Sequence, residues 1–104
     1  MIHGNRGLVK RAKSDLDSAL VDFNRAIELK PDLVATFFNR GLVKQVKGDL
    51  DGALADFNRA IELNPNLAQF YKIRGKVKES KGDLAGATVD FNKAIELKPG
   101  SAQA

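Results

Sequence analysis

The chain has 104 residues, a mass of 11.3 kDa and a net charge of +4, with 43% hydrophobic and 29% charged residues. That length holds one ordinary domain with a core, but little room for a large enclosed active site beside it. The absence of cysteine excludes disulfides, thiolate zinc sites and cysteine nucleophiles, and the single histidine, His3, excludes a multi-histidine metal site.

In chain order, the segment Met1 to Gly7 has no long apolar run, so no secretory leader is read, and no stretch reaches the ~18 apolar residues of a membrane span. With no cysteine, this points to the cytoplasm and to no membrane partner. The chain is then one unit written three times. Pro31, Pro65 and Pro99 recur at a spacing of 34, as do Gly7, Gly41 and Gly75, and then Phe23, Phe57 and Phe91. Residues 1–33 match residues 35–67 at 22 positions. Such self-similarity is the mark of a repeat array.

Each unit reads as two helices. First helices are predicted over residues 2–14, 34–48 and 68–82. In the middle unit, Phe37, Phe38, Gly41, Val43 and Val46 form a loose helical stripe. Lys47-Gly48-Asp49 then stops one helix and starts the next: glycine suits the left-handed position after a helix, and an acid suits a helix start. Residues 51–63 place Ala53, Leu54, Phe57, Ala60 and Ile61 on one face. Asn64-Pro65-Asn66 ends that helix, with Asn66 available to cap the one that follows. The last helix is predicted over 85–98. Nothing alternates with a period of two, so no strand is read. Ser14 stands where the other units have Gly48 and Gly82, which makes a left-handed turn costlier there.

The 34-residue period, the small residues Gly41, Ala53 and Ala60, the ring of Phe57, the aromatics Phe37 and Tyr71, and the closing Pro65 resemble the tetratricopeptide repeat (TPR) family over nearly the whole chain. The resemblance implies an all-α, right-handed solenoid of three helix-turn-helix repeats, approximately 1–33, 34–67 and 68–101, in a single domain 1–104. Against that pattern, His3 replaces the first aromatic and Gly4 follows it, so the first helix should be short and poorly packed. No capping helix is expected after Pro99. The apolar face of the last helix, around Val89, Phe91 and Ile95, should then be uncovered.

No catalytic constellation is present: the phosphate-cradling, dinucleotide, zinc-protease and nucleophile-elbow motifs are all missing. No enzyme and no cofactor are expected. Charge is the more useful signal. The three first helices hold twelve Lys/Arg and one acid, Glu79, for a balance of +11 against −7 elsewhere. In the resembled fold the first helices line the concave face, which implies a positive groove that would steer acidic ligands inward. Half of those cations have a competing structural role, because Arg6, Arg40 and Arg74 recur at 34, as do Lys10, Lys44 and Lys78. Asp22, Asp56 and Asp90 recur in step, so each unit is expected to close its own Arg–Asp bridge between its helices.

Specificity should then come from groove positions that do not recur in all three units. The resemblance puts Asn5, Leu8, Arg11 and Ala12 there in the first unit. In the later units the candidate binding residues are Phe38, Asn39, Leu42, Gln69, Lys72, Ile73 and Lys76. An apolar floor with basic edges fits a short acidic peptide or helix; packing within the stack is the competing role for Phe38 and Leu42. The TPR subtype that clamps chaperone carboxylate tails wants lysine, asparagine, asparagine, lysine and arginine at Gly4, Leu8, Asn39, Gln69 and Ile73. Only Asn39 matches, so the resemblance does not extend to that clamp. The expected function is a non-catalytic protein–protein interaction module. The alternatives are a self-assembling array, natural or engineered, that oligomerises through uncapped ends, and nucleic-acid binding through the basic first helices. The last is disfavoured by the scarcity of stacking aromatics beyond Phe38 and by the lack of any recognised nucleic-acid motif.

Overall fold

The computed structural model describes the backbone of residues 2–97 and the side chains of residues 14–97. Five helices follow one another: α1 (Ile2–Leu29), α2 (Val34–Val46), α3 (Leu50–Leu63), α4 (Ala68–Ser80) and α5 (Leu84–Leu97). Helices α2–α3 and α4–α5 form two hairpins, α1 packs on α2, and α3 packs on α4.

The hairpin turns follow from one residue each. Gly48 and Gly82 have φ of 85° and 88°, the left-handed region where a Cβ is penalised. With that conformation, the Asp49 N–H reaches the Lys44 carbonyl at 2.8 Å and the Gly48 N–H reaches Gln45 at 3.0 Å. The same pair of bonds closes α4, from Asp83 to Lys78 and from Gly82 to Glu79, at 2.9 and 3.0 Å. These satisfy carbonyls that a helix end otherwise leaves bare. Asp49 and Asp83 then cap α3 and α5, each accepting from a backbone N–H three residues on, at 3.0 and 2.9 Å. No atom lies within 4 Å of a Cβ built on Gly48, so the penalty for alanine there is conformational only. Gly48→Ala is expected to lower stability by about 1 kcal/mol, read as a lower urea midpoint with an unchanged slope.

The first unit departs from the expected hairpin. The turn predicted after residue 14 does not form, and α1 runs through it as one helix of 28 residues. Ser14 is the reason. A left-handed serine costs about 1–2 kcal/mol, whereas the helix can continue through it at little penalty. Asn66 does not cap α4 either. The cap position is Leu67, whose side chain makes no such bond, and the Asn66 N–H instead approaches the Asn64 side chain at 3.4 Å. The expectation of no helix after Pro99 falls on residues outside those described.

The core lies between the hairpins. Phe37, Ala60, Ile61, Phe70 and Tyr71 form one buried cluster, with Ile27 and Val34 packed against it. Ala53, Phe57 and Val77 form a second, fully buried one. Gly41 lets α2 and α3 touch: a Cβ there would sit 2.6 Å from the Phe57 ring. Gly75 stands in the same relation to Phe91, at 2.8 Å. Phe91 is therefore half-buried rather than bare, whereas Val89 and Ile95 are exposed as expected. Val46, read as part of the α2 stripe, is also exposed.

Candidate interaction surface

The recurring charges form a stitch that repeats from unit to unit. Arg40 on α2 grips Asp56 on α3 with two hydrogen bonds, from Nε at 2.8 Å and from Nη2 at 2.6 Å. Its remaining nitrogen donates to Asn24 on α1 at 2.9 Å. Arg74 copies this on α4, with Asp90 at 2.9 and 2.7 Å and Asn58 of the preceding repeat at 3.0 Å. Lys44 and Lys78 complete the carboxylates at 3.2 and 3.1 Å. One guanidinium thus ties its own hairpin together and fastens it to the helix before. Sequence reading anticipated the Arg–Asp bond; it missed the asparagine, whose recurrence at Asn24 and Asn58 was the available signal.

Asp56 and Asp90 are 2% and 1% exposed, yet both are fully bonded, which a buried carboxylate requires. Burial pushes the Asp90 carboxyl up, but hydrogen bonds from Arg74 and Lys78 outweigh it and hold the group below its ordinary value. The same bond to Asp90 raises the already high value of Arg74, and that to Asp56 raises Arg40. The guanidinium groups also lie over aromatic rings, Arg40 over Phe37 at 5.6 Å and Arg74 over Tyr71 at 5.5 Å. The Tyr71 hydroxyl donates to the Pro65 carbonyl at 2.8 Å, which pins the inter-repeat loop.

This stitch changes the meaning of the positive charge. The first helices of the second and third units carry eight cations. Six of them are in ion pairs: Arg40 and Lys44 with Asp56, Arg74 and Lys78 with Asp90, Lys47 with Asp17, and Lys81 with Asp51. The last two pairs again join consecutive repeats. Lys72 and Lys76 are exposed and enter no ion pair among the described residues.

The candidate binding residues separate into two groups. Phe38 is half-buried and stacks between repeats, with ring centroids 5.7 Å from Phe57 and 4.7 Å from Phe70. Leu42 and Ile73 are half-buried and pack against the Phe57 cluster. Asn39, Gln69, Lys72 and Lys76 are exposed. On α4, Gln69, Lys72, Ile73 and Lys76 share one helix face by their spacing. The Phe38–Phe70 contact brings α2 beside α4. Asn5, Leu8, Arg11 and Ala12 lie outside the residues whose side chains are described. Among the described residues no group of three or more His, Asp or Glu side chains gathers to hold a metal. No helix of the described residues is long and apolar enough to cross a membrane.

Family models described as "Tetratricopeptide repeat" match residues 34–67, and also 2–33 and 68–101. The chain belongs to the tetratricopeptide repeat family. The TPR is a non-catalytic protein-interaction fold, and the stitch between helices is how this chain builds it. No curated relative matches the chain. Among solved structures it is similar to MamA, at 25% identity and a TM-score of 0.76, over 93% of this chain and 54% of that one. MamA 41-end from Desulfovibrio magneticus RS-1 is 20% identical, with a TM-score of 0.80, over 89% of this chain and 51% of that one. The first TPR of Spaghetti (RPAP3), bound to the HSP90 peptide SRMEEVD, is 22% identical, with a TM-score of 0.78, over 91% of this chain and 75% of that one. The TPR chain spans about half the length of the MamA chains it matches. At these identities the last two likenesses concern the fold alone.

Proposed function

We propose that this chain is a TPR interaction module that takes a short acidic, partly apolar peptide or helix along α2 and α4. The observation that carries this reading is the pair Lys72 and Lys76. They are exposed and outside the ion-pair stitch, while six neighbouring cations are engaged by aspartates. Beside them, Asn39 and Gln69 offer hydrogen bonds, and Phe38, Leu42 and Ile73 offer partly covered apolar surface. A ligand of that chemistry would meet two uncommitted charges at its edge and an apolar floor. A TPR neighbour of the same fold holds an HSP90 peptide. This chain keeps only Asn39 of the clamp residues, so a chaperone carboxylate tail is not the proposed ligand.

Binding of labelled acidic amphipathic peptides, followed by fluorescence anisotropy, tests the reading. The double variant Lys72→Glu/Lys76→Glu is expected to weaken binding at least about tenfold, roughly 1.4 kcal/mol, and to flatten its salt dependence. Arg59→Gln, a change on the exposed face of α3, should leave it intact. Equal loss in both variants would mean that only net charge matters. A second reading, self-association through the last helix, is favoured by Leu84, Val89 and Ile95, each more than 60% exposed on α5. Six of the eight cations in the first helices of the second and third units are already paired, which favours a peptide over the nucleic-acid alternative.

A further inference from the structure

The face that joins one repeat to the next ends uncovered on α5. Within the array, α2 packs on α1 and α4 packs on α3. Ile61 of α3 is 9% exposed and shares a buried cluster with Phe70 and Tyr71 of α4. Val77 of α4 shares another with Phe57, and Leu50 packs against it. Ile95 and Leu84 stand at the repeat positions of Ile61 and Leu50, and each is 63% exposed. The polar part of the seam ends in the same way. Asn24 accepts from Arg40 and Asn58 accepts from Arg74, each across the boundary between repeats. Asn92 holds the same repeat position on α5 and enters no hydrogen bond through its side chain among the described residues. Leu84, Thr88, Asn92 and Ile95 lie on one helix face by their spacing. The Thr88 hydroxyl donates to the Leu84 carbonyl at 2.9 Å, so it brings no unmet donor to that face.

The two interfaces already formed indicate what this face is shaped to hold. The helices that cover it in the earlier repeats share one pattern, an aromatic residue three positions before an arginine and a valine three positions after it. These are Phe37, Arg40 and Val43 in α2, and Tyr71, Arg74 and Val77 in α4. Helix α5 keeps the acceptor for the arginine, Asn92, and the apolar positions Leu84 and Ile95. It drops the acid: Ala85 stands where Asp17 and Asp51 pair with Lys47 and Lys81. An occupant therefore needs the arginine but not the lysine. The α2 or α4 of a second copy has no arginine to spare, because Arg40 and Arg74 are committed to Asp56 and Asp90 and to Asn24 and Asn58. Helix α5 itself contains no arginine, so a pair of α5 helices would leave both Asn92 side chains without one. We propose that α5 docks an amphipathic helix of a different protein, one with the aromatic–arginine–aliphatic pattern, its arginine on Asn92 and its apolar residues over Leu84 and Ile95. That contact continues the seam of the array in trans. The proposal does not depend on the ligand proposed for α2 and α4.

Fluorescence anisotropy with the full chain tests it, using as probe a labelled peptide of residues 67–82 that carries Gly75→Ala. That alanine keeps the peptide out of the protein's own hairpin, where a Cβ at this position would sit 2.8 Å from the Phe91 ring. The wild type is expected to bind the probe. Ile95→Lys, a change at an exposed position, should weaken binding at least about tenfold, with circular dichroism confirming that the variant stays helical. Asn92→Asp should tighten binding severalfold, since an arginine bonds a carboxylate more strongly than an amide. That gain should vanish when the probe also carries Arg74→Leu. In the probe, Arg74→Leu should cost far more affinity than Lys81→Ala. Lys72→Glu/Lys76→Glu in the protein should not weaken binding, which separates this face from the surface along α2 and α4. A wild type that binds no probe overturns the proposal, whether light scattering shows it alone or paired with a second copy. So does a helical Ile95→Lys variant that binds as tightly as the wild type, and so does an Asn92→Asp gain that survives Arg74→Leu.

Discussion

Phe57→Ala is expected to lower stability by about 4 kcal/mol, the range for removing a fully buried ring, and to lower the melting temperature by roughly 20 °C. Phe57 is completely buried and holds three elements at once. Its ring fills the space that Gly41 leaves on α2, stacks obliquely on Phe38 at 5.7 Å, and packs with Val77 of the next repeat. Removing it opens the hairpin and the seam between repeats together. In an array whose stability is a sum of units and of interfaces between them, that loss falls on both contributions. The complementary change gives a sharper test. Gly41→Ala alone forces a Cβ within 2.6 Å of the ring and should cost 1–3 kcal/mol, roughly the range for overpacking. Combined with Phe57→Leu, the same alanine should cost much less, because the smaller side chain vacates the contact. Additive losses in thermal melts of the single and double variants would show that the glycine serves another purpose.

The second large effect concerns the ion-pair stitch. Asp90→Ala is expected to cost about 3 kcal/mol, since breaking a buried pair strands its cations. Asp90 takes both bonds from Arg74 and a third from Lys78 while 1% exposed. Replacing both partners, as Arg74→Leu/Asp90→Leu, should return most of the loss, because an apolar pair needs no desolvation of charge. Lys78 can then turn its head to water. Acid gives an independent reading. The folded Asp90 carboxyl is held below its ordinary value by its partners, so its contribution is present above the unfolded value near 4 and fades as pH falls through the lower folded one. Urea midpoints of the wild type should therefore fall in this acid window, and those of Asp90→Asn should fall less. Identical acid profiles would remove the pair from the account of stability.

Much of the fold was legible in the sequence. The 34-residue period placed every helix boundary in the second and third units within two residues, because glycine, proline and an N-capping aspartate punctuate the chain locally. The Arg–Asp bridge was also readable, since both partners recur in step and the hairpin between them is short. The candidate surface was less so. The sequence places Phe38, Leu42 and Ile73 on the expected groove floor, yet they also pack in the seam between repeats, and that division of an apolar side chain depends on which helix lies alongside it. The free positive charge on the first helices of the second and third units is smaller than the sequence implies for the same reason. Whether a lysine faces solvent or an aspartate 30 residues away is set by how one repeat stacks on the last, as Lys47–Asp17 and Lys81–Asp51 demonstrate.

The order of residues alone is enough to specify an all-helical TPR array, because its repeated small residues, rings and turn glycines act within one hairpin at a time. Packing between helices selects which charges stay free, and it is the folded chain that reveals the first hairpin opened into one long helix. Those outcomes rest on competitions between distant parts of the chain. At Ser14 a left-handed turn and the packing it would permit are weighed against an uninterrupted helix, and no local motif records which of the two has the lower free energy.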